Sequence, residues 1–225
     1  FKTTFRVVAN DNQQGAVLAN YAAGTLKAKT IAIIDDRTAY GQGLADVVER
    51  VAKEKGLKVV AREFTNDKAT DFNAILTKVR AAKPDVVMYG GMDATAGPMA
   101  KQMKQLGIKA PMLAGDGVCS PEFIKLAGDA AGVLTCSMAG EAVEKLAKGE
   151  EFKTKYKAKF NQDVQIYSPY SYDAVYVIAE AIKRAGGPDK PKIAAEVAKT
   201  DHPGVTGQIA FDEKGDIKNG AISMF

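Results

Sequence analysis

Asp116 stands between two glycines, in Gly115-Asp116-Gly117, directly after the apolar run Pro111-Met112-Leu113-Ala114. An acid in such a turn can cap the helix that follows it, or it can face a cation. An earlier glycine turn, Gly90-Gly91-Met92, follows Asp85-Val86-Val87-Met88-Tyr89, and Tyr40 sits in the loop after Thr30-Ile31-Ala32-Ile33-Ile34-Asp35-Asp36. Turns at the carboxyl ends of parallel strands are where open α/β folds bind their ligands. Enzyme chemistry has less to draw on. The one histidine, His202, lies in Thr200-Asp201-His202-Pro203-Gly204, so a Ser-His-Asp triad would have to use it and a multi-histidine metal site is impossible. There is no phosphate loop of the GxxxxGK[ST] form, and Tyr40-Gly41-Gln42-Gly43 is too short for a dinucleotide fingerprint. No enzyme activity and no cofactor are expected.

The elements that must position these residues alternate along the chain. Asp85–Val118 reads as strand, glycine turn, helix and strand; Ala94, Met99, Met103 and Leu106 recur at near-helical spacing, and Gly107 ends the helix. A strand-helix-strand unit of this length crosses over right-handed and makes the strands parallel. Upstream come a helix capped by Asp11–Gly15, a strand Thr30–Asp36, a helix with Leu44, Val47, Val48 and Val51 inward, a strand Leu57–Phe64 and a helix Asp71–Ala82. Downstream lie a helix Pro121–Leu126 and a strand Gly132–Ser137. The fold class is therefore α/β, a doubly wound parallel sheet. After about Ala139 the pattern changes to a Lys/Glu-rich helix, Lys145–Phe160, and a helix Ser168–Ala185 expected to bury Tyr172, Val175, Ile178 and Ile182. A short helix Ile193–Val197, a strand Gly207–Phe211, a turn at 212–216 and a last strand Ala221–Phe225 follow. Two long helices with little sheet between them want a sheet from elsewhere, and a preceding segment is the expected source.

Composition bounds the function. The hydrophobic fraction of 46% and charged fraction of 26% are those of an ordinary globular protein. The net charge of +4 is spread along helix faces rather than gathered in a stripe, so nucleic acid is not an expected partner. No apolar run reaches the roughly eighteen residues of a membrane span, and direct membrane insertion is not expected. The chain opens on Phe1-Lys2-Thr3-Thr4-Phe5-Arg6-Val7-Val8, which looks like the interior of a protein, so export remains compatible with the sequence.

The order of segments resembles the periplasmic solute-binding proteins of branched-chain amino acid ABC transporters, the leucine/isoleucine/valine-binding type. The matching stretches are FRVVANDNQQG, TIAIIDDRTAYGQGLAD, TNDKATDFNAILTKVRAAKPDVVMYGG, MKQLGIKAPMLAGDG, IKLAGDAAGV, SPYSYDAVYVIAEAIKRAG and GVTGQIAFDEKGDIK, in family order over nearly the whole chain. The resemblance implies two α/β lobes joined by crossovers and a ligand enclosed by hinge closure. It places 1–9 in the first crossover, 10–139 in the second lobe, 140–219 in the returning part of the first lobe and 220–225 in a strand crossing back. The opening strands of the first lobe, about a third of the family chain, would precede Phe1. The implied partners are an amino acid and a membrane permease, the implied protein is a periplasmic monomer, and a signal peptide would have been removed.

Site residues carry over only where positions match. Tyr40 corresponds to a cleft-lining aromatic, Asp116 to the acid that takes the ligand's α-ammonium, and Tyr167 to an aromatic before the long helix of the first lobe. Leucine-type members often carry an aromatic where this chain has Met92, which opens the ligand range to other amino acids or small amides. Each residue has a plainer reading: Tyr40 as a surface aromatic, Asp116 as a cap, Met92 as packing. Cys119 and Cys136 fall at the ends of strands expected to be neighbours, and an exported protein would oxidise such a pair. The alternative is two buried thiols. Asp35-Asp36 resembles the acidic pocket of receiver domains, which would bring magnesium and phosphorylation, but the matching Thr and Lys are absent. A sugar-binding repressor core shares the two-lobe architecture and is the nearer rival.

Overall fold

The computed structural model describes residues 3–225; Phe1 and Lys2, with which the expected 1–9 segment begins, lie outside the described residues. The chain divides into two compact units, 1–10 with 139–223 and 11–138 with 224–225.

The larger unit opens with α1 (Asp11–Asn20), which runs on into a wider turn, Tyr21–Thr25. There follow β1 (Thr30–Asp35), α2 (Ala39–Glu54), β2 (Lys58–Phe64), α3 (Asn73–Ala82), β3 (Val86–Gly90), α4 (Asp93–Gln105), β4 (Met112–Ala114), α5 (Pro121–Ala127) and β5 (Leu134–Ala139). The pairs β1–β2, β1–β3, β3–β4 and β4–β5 are all parallel, in the order β2-β1-β3-β4-β5. That order reverses direction at β1, so the crevice at the carboxyl ends of β1 and β3 is the switch point of the sheet.

Alternation along each strand feeds two cores. Ala32 and Ile34 of β1, Val87 and Tyr89 of β3, and Met112 and Ala114 of β4 pack on one face with Leu76, Val79, Met99, Met103 and Phe123. Ile31 and Ile33, Val86 and Met88, and Leu113 pack on the other with Leu18, Leu44, Val48 and Val51. Strands buried on both faces read as unbroken apolar runs, which is how they appear in the sequence. Each fully buried Leu, Ile or Met side chain contributes about 1.5–3 kcal/mol.

In the smaller unit, α6 (Gly149–Phe160) starts four residues later than the sequence predicts, after a short helical turn at Val143–Lys145. Then come α7 (Ser168–Ala185), α8 (Lys190–Ala198), β6 (Asp201–Pro203) and β7 (Gln208–Ala210), with β6 and β7 antiparallel; β6 was not expected. β8 (Ile222–Met224) closes the chain, and in the larger unit Phe225 and Cys136 exchange N–H···O bonds of 2.9 Å. The expected inward face of α7 is corrected. Tyr172, Val175, Ile178 and Ile182 are exposed, while Pro169, Tyr170, Val177 and Ala181 are buried. α7 is apolar on two sides, and the side that meets α8 and β7 is the one carrying Val177 and Ala181, packed with Val197, Ile209 and Phe211.

Candidate functional site

Three turns at the carboxyl edge of the larger unit converge. The first is built from the end of β1. Asp36 is buried, and its Oδ1 accepts the Thr38 N–H at 3.0 Å and the Thr38 hydroxyl at 2.6 Å. Thr38 in turn caps α2 by accepting the Gly41 N–H at 2.9 Å. Tyr40 is thereby held in the first turn of the helix. Gly41 is required by contact: a Cβ there would strike the Asp36 carboxylate and come within 2.5 Å of the Gly90 carbonyl oxygen. Only glycine lets α2 lie this close to the end of β3.

The second turn follows β3. Met92 precedes α4, and its carbonyl accepts the Thr95 hydroxyl at 3.0 Å, which also bonds the buried Tyr89 hydroxyl at 2.6 Å. The thioether sulfur of Met92 lies against Gly117, 2.7 Å from where a Cβ would stand. The third turn is the short helical turn Asp116–Val118 after β4. Here the Tyr40 hydroxyl donates to Asp116 Oδ1 at 2.9 Å and accepts the Gly117 N–H at 3.2 Å. Burial first, and then the Asp116 charge, push the Tyr40 phenol well above its ordinary range, so it stays a donor.

Tyr40, Met92 and Asp116 are thus brought together, with Asp116 partly exposed. Tyr167 belongs to the smaller unit, where it precedes α7 and packs edge-on to Tyr170 with ring centres 6.4 Å apart. Cys119 and Cys136 are joined as a disulfide with Cα atoms 5.6 Å apart. Gln14 escaped the sequence reading: it is buried in α1, its amide donates to the Ser137 carbonyl at 3.3 Å, and it lies close to Gly115. A glutamine among the apolar positions of a helix was the available signal. Asp93 also escaped it; its carboxylate accepts the Ser120 hydroxyl at 2.6 Å and ties the second turn to the third.

The other chemical candidates are occupied elsewhere. Asp35 is ion-paired with Arg62, which also meets Asp46 at 2.9 Å and Glu49 at 3.1 Å, so Asp35 is engaged in a structural network rather than open to magnesium. Among the described residues no group of three or more His, Cys, Asp or Glu could hold a metal ion. His202 lies in β6, stacked on Tyr176 at 6.4 Å, beside a cavity of about 240 Å³ that Phe152 and Tyr172 also line. Among the described residues no helix is long and apolar enough to cross a membrane.

Comparisons with known proteins bear on the whole chain. The profile of a family described as "Periplasmic binding protein" matches residues 1–223. A leucine-, isoleucine-, valine-, threonine- and alanine-binding protein of Pseudomonas aeruginosa is 35% identical over 225 residues, 100% of this chain and 60% of that protein. A Leu/Ile/Val-binding protein homolog 1 of Brucella abortus is 37% identical over 223 residues, covering 99% of this chain and 60% of that one. The crystal structure of a leucine binding protein from Thermotoga maritima superposes with a TM-score of 0.91 at 31% identity, over 98% of this chain and 63% of that one. A branched-chain amino acid transporter substrate binding protein of Streptococcus pneumoniae, solved in complex with isoleucine, gives 0.82 at 28% identity, over 96% and 62%. This chain therefore spans about 60% of the length of the curated relatives it matches.

Proposed function

The chain belongs to the periplasmic binding protein family, and from that premise we propose that it serves as the substrate-binding component of an ABC importer for an amino acid. The observation that carries this reading is the convergence of Asp116, Tyr40 and Met92 at the switch point of the sheet. An α-ammonium leaving water needs a charged, hydrogen-bonded partner, and Asp116 offers a full negative charge held in place by a phenol. The Tyr40 ring and the Met92 thioether supply apolar wall, and Tyr167 is assigned the same role from the resemblance. Binding needs no bond made or broken in the ligand, so the protein acts as a receptor rather than an enzyme. It passes the amino acid to a membrane permease and works as an extracytoplasmic monomer once a signal peptide is removed. The disulfide supports that location.

The ligand class is branched-chain or closely related, in keeping with relatives named for leucine, isoleucine, valine, threonine and alanine. The test is calorimetry on the full-length protein with those amino acids and a set of sugars. Tight amino acid binding that Asp116→Ala abolishes supports the reading. Heat with sugars alone overturns it in favour of a sugar-responsive repressor or receptor.

A further inference from the structure

The turn that carries Asp116 is short and depends on holds from outside itself: the Tyr40 hydroxyl, and Val118 buried in the core. Asp116 lies between two glycines, its helical turn is three residues long, and the Tyr40 hydroxyl, accepting the Gly117 N–H at 3.2 Å, holds it from one side. Its internal bonds are local ones, Val118 N–H to the Gly115 carbonyl at 3.2 Å and Cys119 N–H to the Asp116 carbonyl at 3.1 Å. Glycine on both sides lets the turn pack closely, since a Cβ at Gly115 would strike the Tyr40 hydroxyl and one at Gly117 would stand 2.7 Å from the Met92 sulfur, but gives it no side chain of its own to anchor the backbone. Yet a carboxylate that selects an ammonium must be held to within about half an ångström of its place.

The turn is tethered by a covalent bond to a rigid strand. Cys119 is three residues beyond Asp116 and is joined to Cys136 of β5. Cys136 is fixed from both sides, paired in register with Ala114 of β4 and exchanging backbone bonds of 2.9 Å with Phe225. Ala114 is also the residue before Gly115, so the disulfide and the β4–β5 ladder grip both ends of the Gly115–Cys119 segment. Cys136 is 5% exposed, whereas Cys119 is half-buried. We infer that the Cys119–Cys136 disulfide is a positioning clamp on Asp116, so that amino acid affinity depends on the cysteines being oxidised. Breaking it removes the covalent hold on the far end of the turn while leaving the Ser120–Asp93 bond, the sheet and both cores in place. The inference rests on Asp116 being the ammonium-binding acid proposed above.

The experiment compares the full-length protein oxidised and after reduction with dithiothreitol. The reagent gives up two electrons and two protons, closes its own ring disulfide and leaves two thiols on the protein, confirmed by alkylation and mass. The probes are leucine, isoleucine, valine, threonine and alanine, titrated by calorimetry in each state. The expected result is a dissociation constant about tenfold higher after reduction, on the scale of one lost positioning interaction. Hydrogen exchange should accelerate at Gly117, Val118 and Cys119 while the amides of β1 and β3 keep their protection. The Cys119→Ala/Cys136→Ala double variant should match the reduced protein and show no further response to dithiothreitol. Equal affinity in both redox states overturns the clamp and leaves the receptor reading intact. Loss of protection throughout the sheet marks a general staple and also overturns it. Absence of amino acid binding in the oxidised protein overturns the receptor reading, and the clamp with it.

Discussion

The hydroxyl of Tyr40 donates to Asp116 Oδ1 at 2.9 Å while accepting the Gly117 N–H at 3.2 Å, across 76 residues of sequence. One phenol thus orients both the acid and the backbone of the turn that carries it. Tyr40→Phe keeps the ring and removes this link. The expected outcome is a loss of about 1.5 kcal/mol in amino acid binding, roughly tenfold in affinity, with little change in fold. Calorimetry beside circular dichroism checks it, and unchanged affinity would show the hydroxyl to be idle.

Asp116→Asn keeps size and most hydrogen-bonding capacity but removes the charge. An ammonium enclosed without a counter-charge costs about 3 kcal/mol, more than a hundredfold in affinity. The loss should exceed that of Tyr40→Phe, because the phenol acts through the carboxylate. The reverse ranking in the same titration would count against an ammonium role for Asp116.

Two glycines in one helix should respond oppositely to alanine. At Gly41 a Cβ would meet the Asp36 carboxylate and the Gly90 carbonyl, so Gly41→Ala should destabilise by about 2–3 kcal/mol through overpacking. At Gly43 nothing lies within 4 Å of the added atom, so Gly43→Ala should stabilise α2 by about 0.5–1 kcal/mol. Urea unfolding of both variants settles the pair. Equal effects would mean that the close approach of α2 to β3 does not constrain the fold.

The phenol gives a pH signature. Tyr40 has its folded pKa raised, by burial first and then by Asp116, above the ordinary value of about 10 that it regains on unfolding. The neutral phenol's contribution is therefore fully present below pH about 10 and is lost as pH rises from there toward the folded value. Tyr40→Phe should fall in stability less steeply above pH about 10, by up to about 1.4 kcal/mol per pH unit. Urea midpoints measured from pH 9 upward, as an order-of-magnitude span around that onset, read the difference. Parallel curves would place Tyr40 in contact with water.

The alternation of apolar runs with helical periodicity was legible along the sequence because a parallel strand buried on both faces reads as a continuous apolar block. Val86–Tyr89 and Ile31–Ile34 could scarcely read otherwise. The ordered motifs from Phe5 to Lys218 carried the family. What periodicity cannot state is strand order. β2 lies at the edge and β1 beside β3, and that arrangement brings the turns after β1, β3 and β4 to one place. The Tyr40–Asp116 bond, the Met92 sulfur on Gly117, the close approach of Gly41 to Gly90 and the buried Gln14 all follow from it. The face of α7 was misread for a related reason. A helix apolar on two sides carries two amphipathic patterns, and only the neighbours present, α8 and β7, decided which one is buried. Local sequence thus specified the elements and their chemistry, while tertiary contacts between distant turns decided which side chains meet, since those contacts depend on topology and shape rather than on any spacing within the chain.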